Sequence, residues 1–135
     1  MIKKRSIALG TGTLALMFSC QEMNLENTDN CFSTEFVKPQ NISGPDSVAV
    51  NEEIKFDLSI GVKNGCGSFG QFLTTTDSTS VNIETVAAYR GCVCTQAAME
   101  IDTAYTFTPT SAGVYQFNFK NGDAVFETKE VTVTE

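Results

Sequence analysis
Ile54-Lys55-Phe56-Asp57-Leu58-Ser59-Ile60-Gly61-Val62 alternates large apolar residues with polar or small ones over nine positions. Successive side chains of a strand point to opposite faces, so Ile54, Phe56, Leu58, Ile60 and Val62 would share one face. A helical period would scatter them. The stretch predicts a strand with one face on a core, ended by the turn residues Lys63-Asn64-Gly65.

The same alternation recurs on both sides. Val48 and Val50 alternate with polar neighbours upstream. Downstream lie a glycine-interrupted strand with Phe69 and Phe72, then a polar loop Thr74–Ser80. Val81, Ile83 and the run Val86–Tyr89 follow, with a phase change near Thr85 that predicts a bulge. Tyr105-Thr106-Phe107 stops at Pro109. Tyr115-Gln116-Phe117-Asn118-Phe119 runs into Asn121-Gly122, a strong hairpin signal. The last strand covers Val125 to Val133, with a phase shift around Lys129. Thr95–Ile101 is the one helix-compatible stretch. Seven strands are expected, near 46–50, 53–62, 68–74, 80–90, 103–108, 113–120 and 124–134. Seven short alternating strands joined by turn residues predict an all-β sandwich.

Gly113-Val114-Tyr115-Gln116-Phe117 resembles the start of strand F in immunoglobulin-like domains. The resemblance covers roughly residues 45–135 and implies an immunoglobulin-like antiparallel β-sandwich of about seven strands. It casts Tyr115 as the tyrosine of the corner and Phe117 at the site of an antibody-domain cysteine. No tryptophan is present, so Phe69 or Phe72 would fill the strand C core site. The chain is thus more similar to bacterial extracellular immunoglobulin-like domains than to antibody domains.

The N-terminus carries a different signal. Lys3-Lys4-Arg5 precedes an apolar run from Ile7 to Phe18, followed by Ser19-Cys20 and polar Gln21-Glu22. This is the order of a secretory signal. The run is shorter than the roughly 20 residues a spanning helix needs. Leu16-Met17-Phe18-Ser19-Cys20 resembles a bacterial lipoprotein lipobox, although Met17 and Phe18 depart from its strictest pattern. The resemblance implies lipidation of Cys20, as in palmitate-bearing lipoproteins, and cleavage before it. The expected organisation is therefore a signal peptide over 1–19, the lipidated cysteine and a polar tether over 20–45, and the sandwich over 46–135. The expected location is the bacterial cell envelope, at the outer membrane, facing the periplasm or the cell surface. Cleavage removes three of the nine basic residues and none of the sixteen acidic ones, taking the net charge from −7 to −10. The partner membrane is then held by lipid rather than by charge.

Five cysteines are present. With Cys20 assigned to lipid, Cys31, Cys66, Cys92 and Cys94 remain, an even number in an exported domain, which predicts disulfides. In the expected sandwich all four converge on one pole. Cys92 and Cys94 are too close along a strand to bond each other without strain. Two crossed solutions stay open: 31–92 with 66–94, or 31–94 with 66–92. Pinning Cys31 would leave a leash of residues 21–30, with that pole toward the membrane. Thr74–Ser80 and the turn near Ser111 would point away from it.

Composition narrows the function. No histidine is present, which excludes Ser-His-Asp triads, Cys-His pairs and imidazole metal sites. The acidic balance disfavours nucleic acid. Glu52-Glu53 and the Glu100/Asp102 pair read as solvated carboxylates, and no catalytic residue, metal site or cofactor is expected. The reading is a non-enzymatic binding or accessory module with a protein or glycan ligand. The alternative is a thiol- or copper-handling lipoprotein using Cys92, Cys94 and Met99.

Overall fold
The computed structural model describes residues 31–135, which form nine strands and no helix. These are β1 (Phe32–Val37), β2 (Pro39–Ser43), β3 (Ser47–Ala49), β4 (Ile54–Val62), β5 (Gly67–Asp77), β6 (Ser80–Arg90), β7 (Met99–Phe107), β8 (Gly113–Asn121) and β9 (Ala124–Thr134). They build two sheets, one of six strands and one of three, packed as a β-sandwich. The expected all-β sandwich is the fold.

The small sheet runs β2-β4-β7, both pairings antiparallel. The alternation of β4 does what its sequence dictates: Ile54, Phe56, Leu58, Ile60 and Val62 are all buried. They meet Val81, Ile83, Phe117, Phe119, Val131 and Val133 of the large sheet in one core. Phe56 packs on Phe117 and Phe119, with ring centroids 5.0 and 5.6 Å apart. Phe72 enters the core beside Tyr105 at 5.3 Å, and Phe69 lies 4.7 Å from Phe72, so both candidate strand C aromatics are used.

In the large sheet β6 is the hub. β5 covers one edge of it almost throughout. The other edge is shared: β8 pairs with Ser80–Glu84 in parallel, and β1 pairs with Thr85–Arg90 antiparallel. β9 follows β8, and the short β3 runs parallel to the end of β9. Two of the seven pairings are therefore parallel, where an antiparallel arrangement was expected.

Five further details differ from the sequence reading. Residues 32–43, expected as tether, form β1 and β2, one in each sheet. Val37 and Ile42 anchor them in the core. Thr74–Asp77, expected as loop, extends β5, because threonine suits a pleated strand and Asp77 pairs with Ser80 across a two-residue turn. The bulge expected near Thr85 lies across the ladder in β5, between Phe69 and Gln71. Gly70 permits it, since a Cβ there would stand 2.9 Å from the Val86 carbonyl oxygen. The phase shift expected around Lys129 falls instead at the register slip between Glu127 and Val125. Thr95–Ile101 is not helical; its last three residues begin β7.

Thr85 is fully buried and its hydroxyl is without a hydrogen-bond partner. An unpaired buried hydroxyl costs about 1–3 kcal/mol. Thr85→Val keeps the shape and removes the polar atom, so it should raise stability by about 1 kcal/mol. Phe56→Ala opens a cavity and should lower it by about 3–5 kcal/mol. Urea melts of the two variants test both signs.

Candidate functional site
Two poles carry the polar and covalent features of the sandwich. At the first, β6 ends in Arg90-Gly91-Cys92-Val93-Cys94. Cys31 immediately precedes β1 and Cys66 immediately precedes β5, the two strands flanking this end of β6. Cys92 bonds Cys31 and Cys94 bonds Cys66, with Cα separations of 4.9 and 5.4 Å. The Cys-x-Cys segment thus ties the hub to both neighbours, and all four cysteines meet at one pole as the sequence predicts. Of the two open solutions, this is 31–92 with 66–94.

Backbone hydrogen bonds brace the cystines. The Gly91 amide donates to the Cys31 carbonyl at 2.9 Å, and the Arg90 amide donates to the Cys66 carbonyl at 3.1 Å. Gly91 has φ +129°, and a Cβ there would meet the Cys66 sulfur at 2.9 Å, so glycine is needed on both counts. The Cys66 amide donates to Asn64 Oδ1 at 3.0 Å. Val93, between the two cystines, is 94% exposed. Met99 begins β7 opposite Val62. Sulfurs committed to disulfides offer no thiolate for a soft metal, and no group of three or more metal-ligating acidic, cysteine or histidine residues occurs among the described residues. Cys20 lies outside the described residues.

A polar triad joins the sheets at this pole, which sequence reasoning missed. Tyr89 Oη donates to Glu35 Oε1 at 2.7 Å, Lys63 Nζ donates to Glu35 Oε2 at 2.7 Å, and the Lys63 amide donates to Tyr89 Oη at 3.2 Å. The ammonium also sits 4.9 Å from the Tyr89 ring centroid. The hydrogen bond from Lys63, then that from Tyr89, holds the Glu35 carboxyl below its ordinary 4.5. The hydrogen bond to Glu35 raises Lys63, and burial raises Tyr89. Glu35 was invisible as a site residue because its strand read as tether.

The second pole carries the loops between β3 and β4, β5 and β6, and β7 and β8. Tyr115 is buried there, and its hydroxyl donates to the Ser111 carbonyl at 3.1 Å. That is the tyrosine-corner bond expected from Gly-x-Tyr-x-Phe. The Asn51 amide donates to the Pro109 carbonyl at 2.9 Å, joining two of the loops. Glu52 accepts from the Ala49 amide at 3.0 Å, so it braces its loop rather than acting as one of a free acid pair. Val50, Asn51, Thr110, Ser111, Ala112 and Glu135 line an open basin of ≈ 490 Å³.

Residues 56–133 match the model of the ORF11 beta-sandwich domain family. The chain belongs to that family. Neither a curated protein nor a solved structure matches it. The ORF11 beta-sandwich match begins inside β4, so Cys66, Cys92 and Cys94 fall within it while Cys31 and β1 to β3 precede it.

Replacing both members of a cystine by serine should cost about 4 kcal/mol for Cys31–Cys92 and about 3.5 kcal/mol for Cys66–Cys94, in the chain-entropy account for closed loops of 61 and 28 residues. Non-reducing peptide mapping checks the connectivity, and urea melts check the sizes. Glu35→Gln should lower the urea midpoint at neutral pH. A depressed carboxylate contributes stability above its unfolded value of 4.5 and loses it as pH falls through the folded value. The gap between wild type and variant should therefore close as the pH falls below the ordinary carboxylate range. A gap that persists there would show that Glu35 acts through packing rather than charge.

Proposed function
We propose that this ORF11 beta-sandwich protein is an exported, lipid-anchored envelope protein of bacteria, held by a lipidated Cys20, whose sandwich acts as a binding or accessory module without turnover. The observation that carries the reading is the placement of Cys31. It is tied to Cys92 at one pole, with only ten residues between it and the lipobox-like Cys20. Ten residues reach at most about 35 Å, so the cystine pole stands toward the membrane. The braced loops and the open basin beside Ser111 stand away from it, where a protein or glycan ligand has access. Loops held by a rigid scaffold are the usual place for recognition. Two disulfides also suit the oxidising compartment that export implies.

The test is metabolic labelling of the full-length protein with a radiolabelled fatty acid. The wild-type chain should be labelled and partition with membranes. Cys20→Ala should be unlabelled and appear in the soluble envelope fraction. Label that persists in Cys20→Ala, or a wild-type chain that stays unlabelled and soluble, sinks the anchoring. Separately, Thr110→Lys at the exposed rim of the basin should abolish ligand capture by the domain without shifting its melting temperature.

A further inference from the structure
The outer side of the six-stranded sheet, away from the core, carries an apolar trough. Its floor is Val86 and Ala88 of β6. Phe32, Thr34 and Phe36 of β1 form one wall, and Gly70, Gln71 and Leu73 of β5 form the other. Phe32 and Phe36 are each 51% exposed and Leu73 is 40% exposed, whereas Val86 and Ala88 are buried at the bottom. In a chain with sixteen acidic residues, only one, Glu35, lines this trough, and its carboxylate is taken up by Lys63 and Tyr89. Its other charges stand at its ends on the same strand: Arg90, stacked 4.5 Å from the Phe32 ring, at one, and Glu84, in register with Lys120, at the other.

We infer that this face binds a second copy of the same chain about a two-fold axis through Ala87, with the two β6 strands antiparallel. The placement of charge is the argument. Arg90 and Glu84 lie three residues to either side of Ala87, about 10 Å each way. A two-fold operation carries each onto the other, so Arg90 of one copy meets Glu84 of its partner, twice over. The aromatic ridge fits the same operation. Phe32 is level with Arg90 and Phe36 with Val86, three residues above and one below the axis. The partner's rings fall three below and one above. The four rings then alternate along the seam about 6.5 Å apart, within the range that aromatic pairs favour. Leu73, level with Glu84, is carried to the opposite end of the partner's β5, beyond Ser68, where that strand presents small outward side chains. Three strands over seven residues make a face of about 14 by 23 Å. Two such faces amount to roughly 650 Å², below a standard interface and in the range of a weak, reversible one.

The experiment is sedimentation over a concentration series on the mature chain from residue 20 with Cys20→Ala, which carries the whole sandwich. It does not depend on lipidation. Wild type should dimerise with a dissociation constant in the micromolar range. Arg90→Glu alone and Glu84→Arg alone should each weaken the dimer at least ten-fold, because like charges then face each other. The double variant should return to within about three-fold of wild type. An equimolar mixture of the two single variants should form a heterodimer, since only their combination restores both pairs. Phe36→Ser should abolish association with an unchanged melting temperature. A wild type that is monomeric throughout, or a dimer that ignores the charge reversals, overturns the proposal.

Discussion
The Cys-x-Cys segment at the end of β6 imposes the constraint on which the rest of the sandwich depends. One strand is held covalently to the neighbour on either side, through Cys31 and Cys66. Among the described strands β6 alone pairs with all three of β1, β5 and β8. Position along β6 therefore sets the register of three partners at once. A one-residue slip would turn Val81, Ile83, Ala87 and Tyr89 away from the core, and the cystines oppose that slip at the end where β1 and β5 begin. The other end has no covalent tie. There the Tyr115 hydroxyl on the Ser111 carbonyl and the amide of Asn51 on Pro109 do the equivalent job with hydrogen bonds.

The division of labour along β6 also explains which parts of the fold were readable in the sequence. β4 and β8 each have one buried face and one wet face, so hydrophobicity alternates and the strand is legible. β1 breaks that rule. Its outward residues Phe32 and Phe36 are apolar, its inward Glu35 is spent on Lys63 and Tyr89, and only Val37 enters the core. β2 breaks it differently, because Asn41 adopts a φ of +54° and the register shifts across it. Neither leaves a period-2 trace. The run Val86–Tyr89 misled for the same reason as β1: Val86 and Ala88 are outward residues, but they floor a trough, so both faces of the strand read as apolar.

The convergence of four cysteines on one pole was legible, because it follows from strand direction alone. Their pairing was not, because it depends on which strand lies on each side of β6. That adjacency comes from the parallel contact of β8 with the first half of β6, which leaves only the second half free for β1. No local pattern encodes a shared edge. The tyrosine corner, by contrast, is a bond between residues four apart. Gly113-Val114-Tyr115-Gln116-Phe117 therefore carried enough information to place it.

Six strands facing three leave part of the large sheet uncovered, and the chain handles its two exposed surfaces by different chemistry. On the inner side, Glu127 and Lys129 lie opposite Phe119 and Phe117, in line with Val131 and Val133. They form a 2.8 Å ion pair, with side chains 35% and 36% exposed. Charged side chains on the inner face of a sheet stop further strands or sheets from stacking there. On the outer side the one acidic residue lining the trough between β1 and β5, Glu35, is held by Lys63 and Tyr89 rather than left free to guard it. Its other charges stand at the two ends, Arg90 at one and Glu84 beside Lys120 at the other. A surface selected only for solubility would spread its carboxylates over both sides. Keeping one face closed to association and the other apolar and end-charged is the arrangement expected of a sandwich that meets a partner through that sheet and reserves its loop pole for something else.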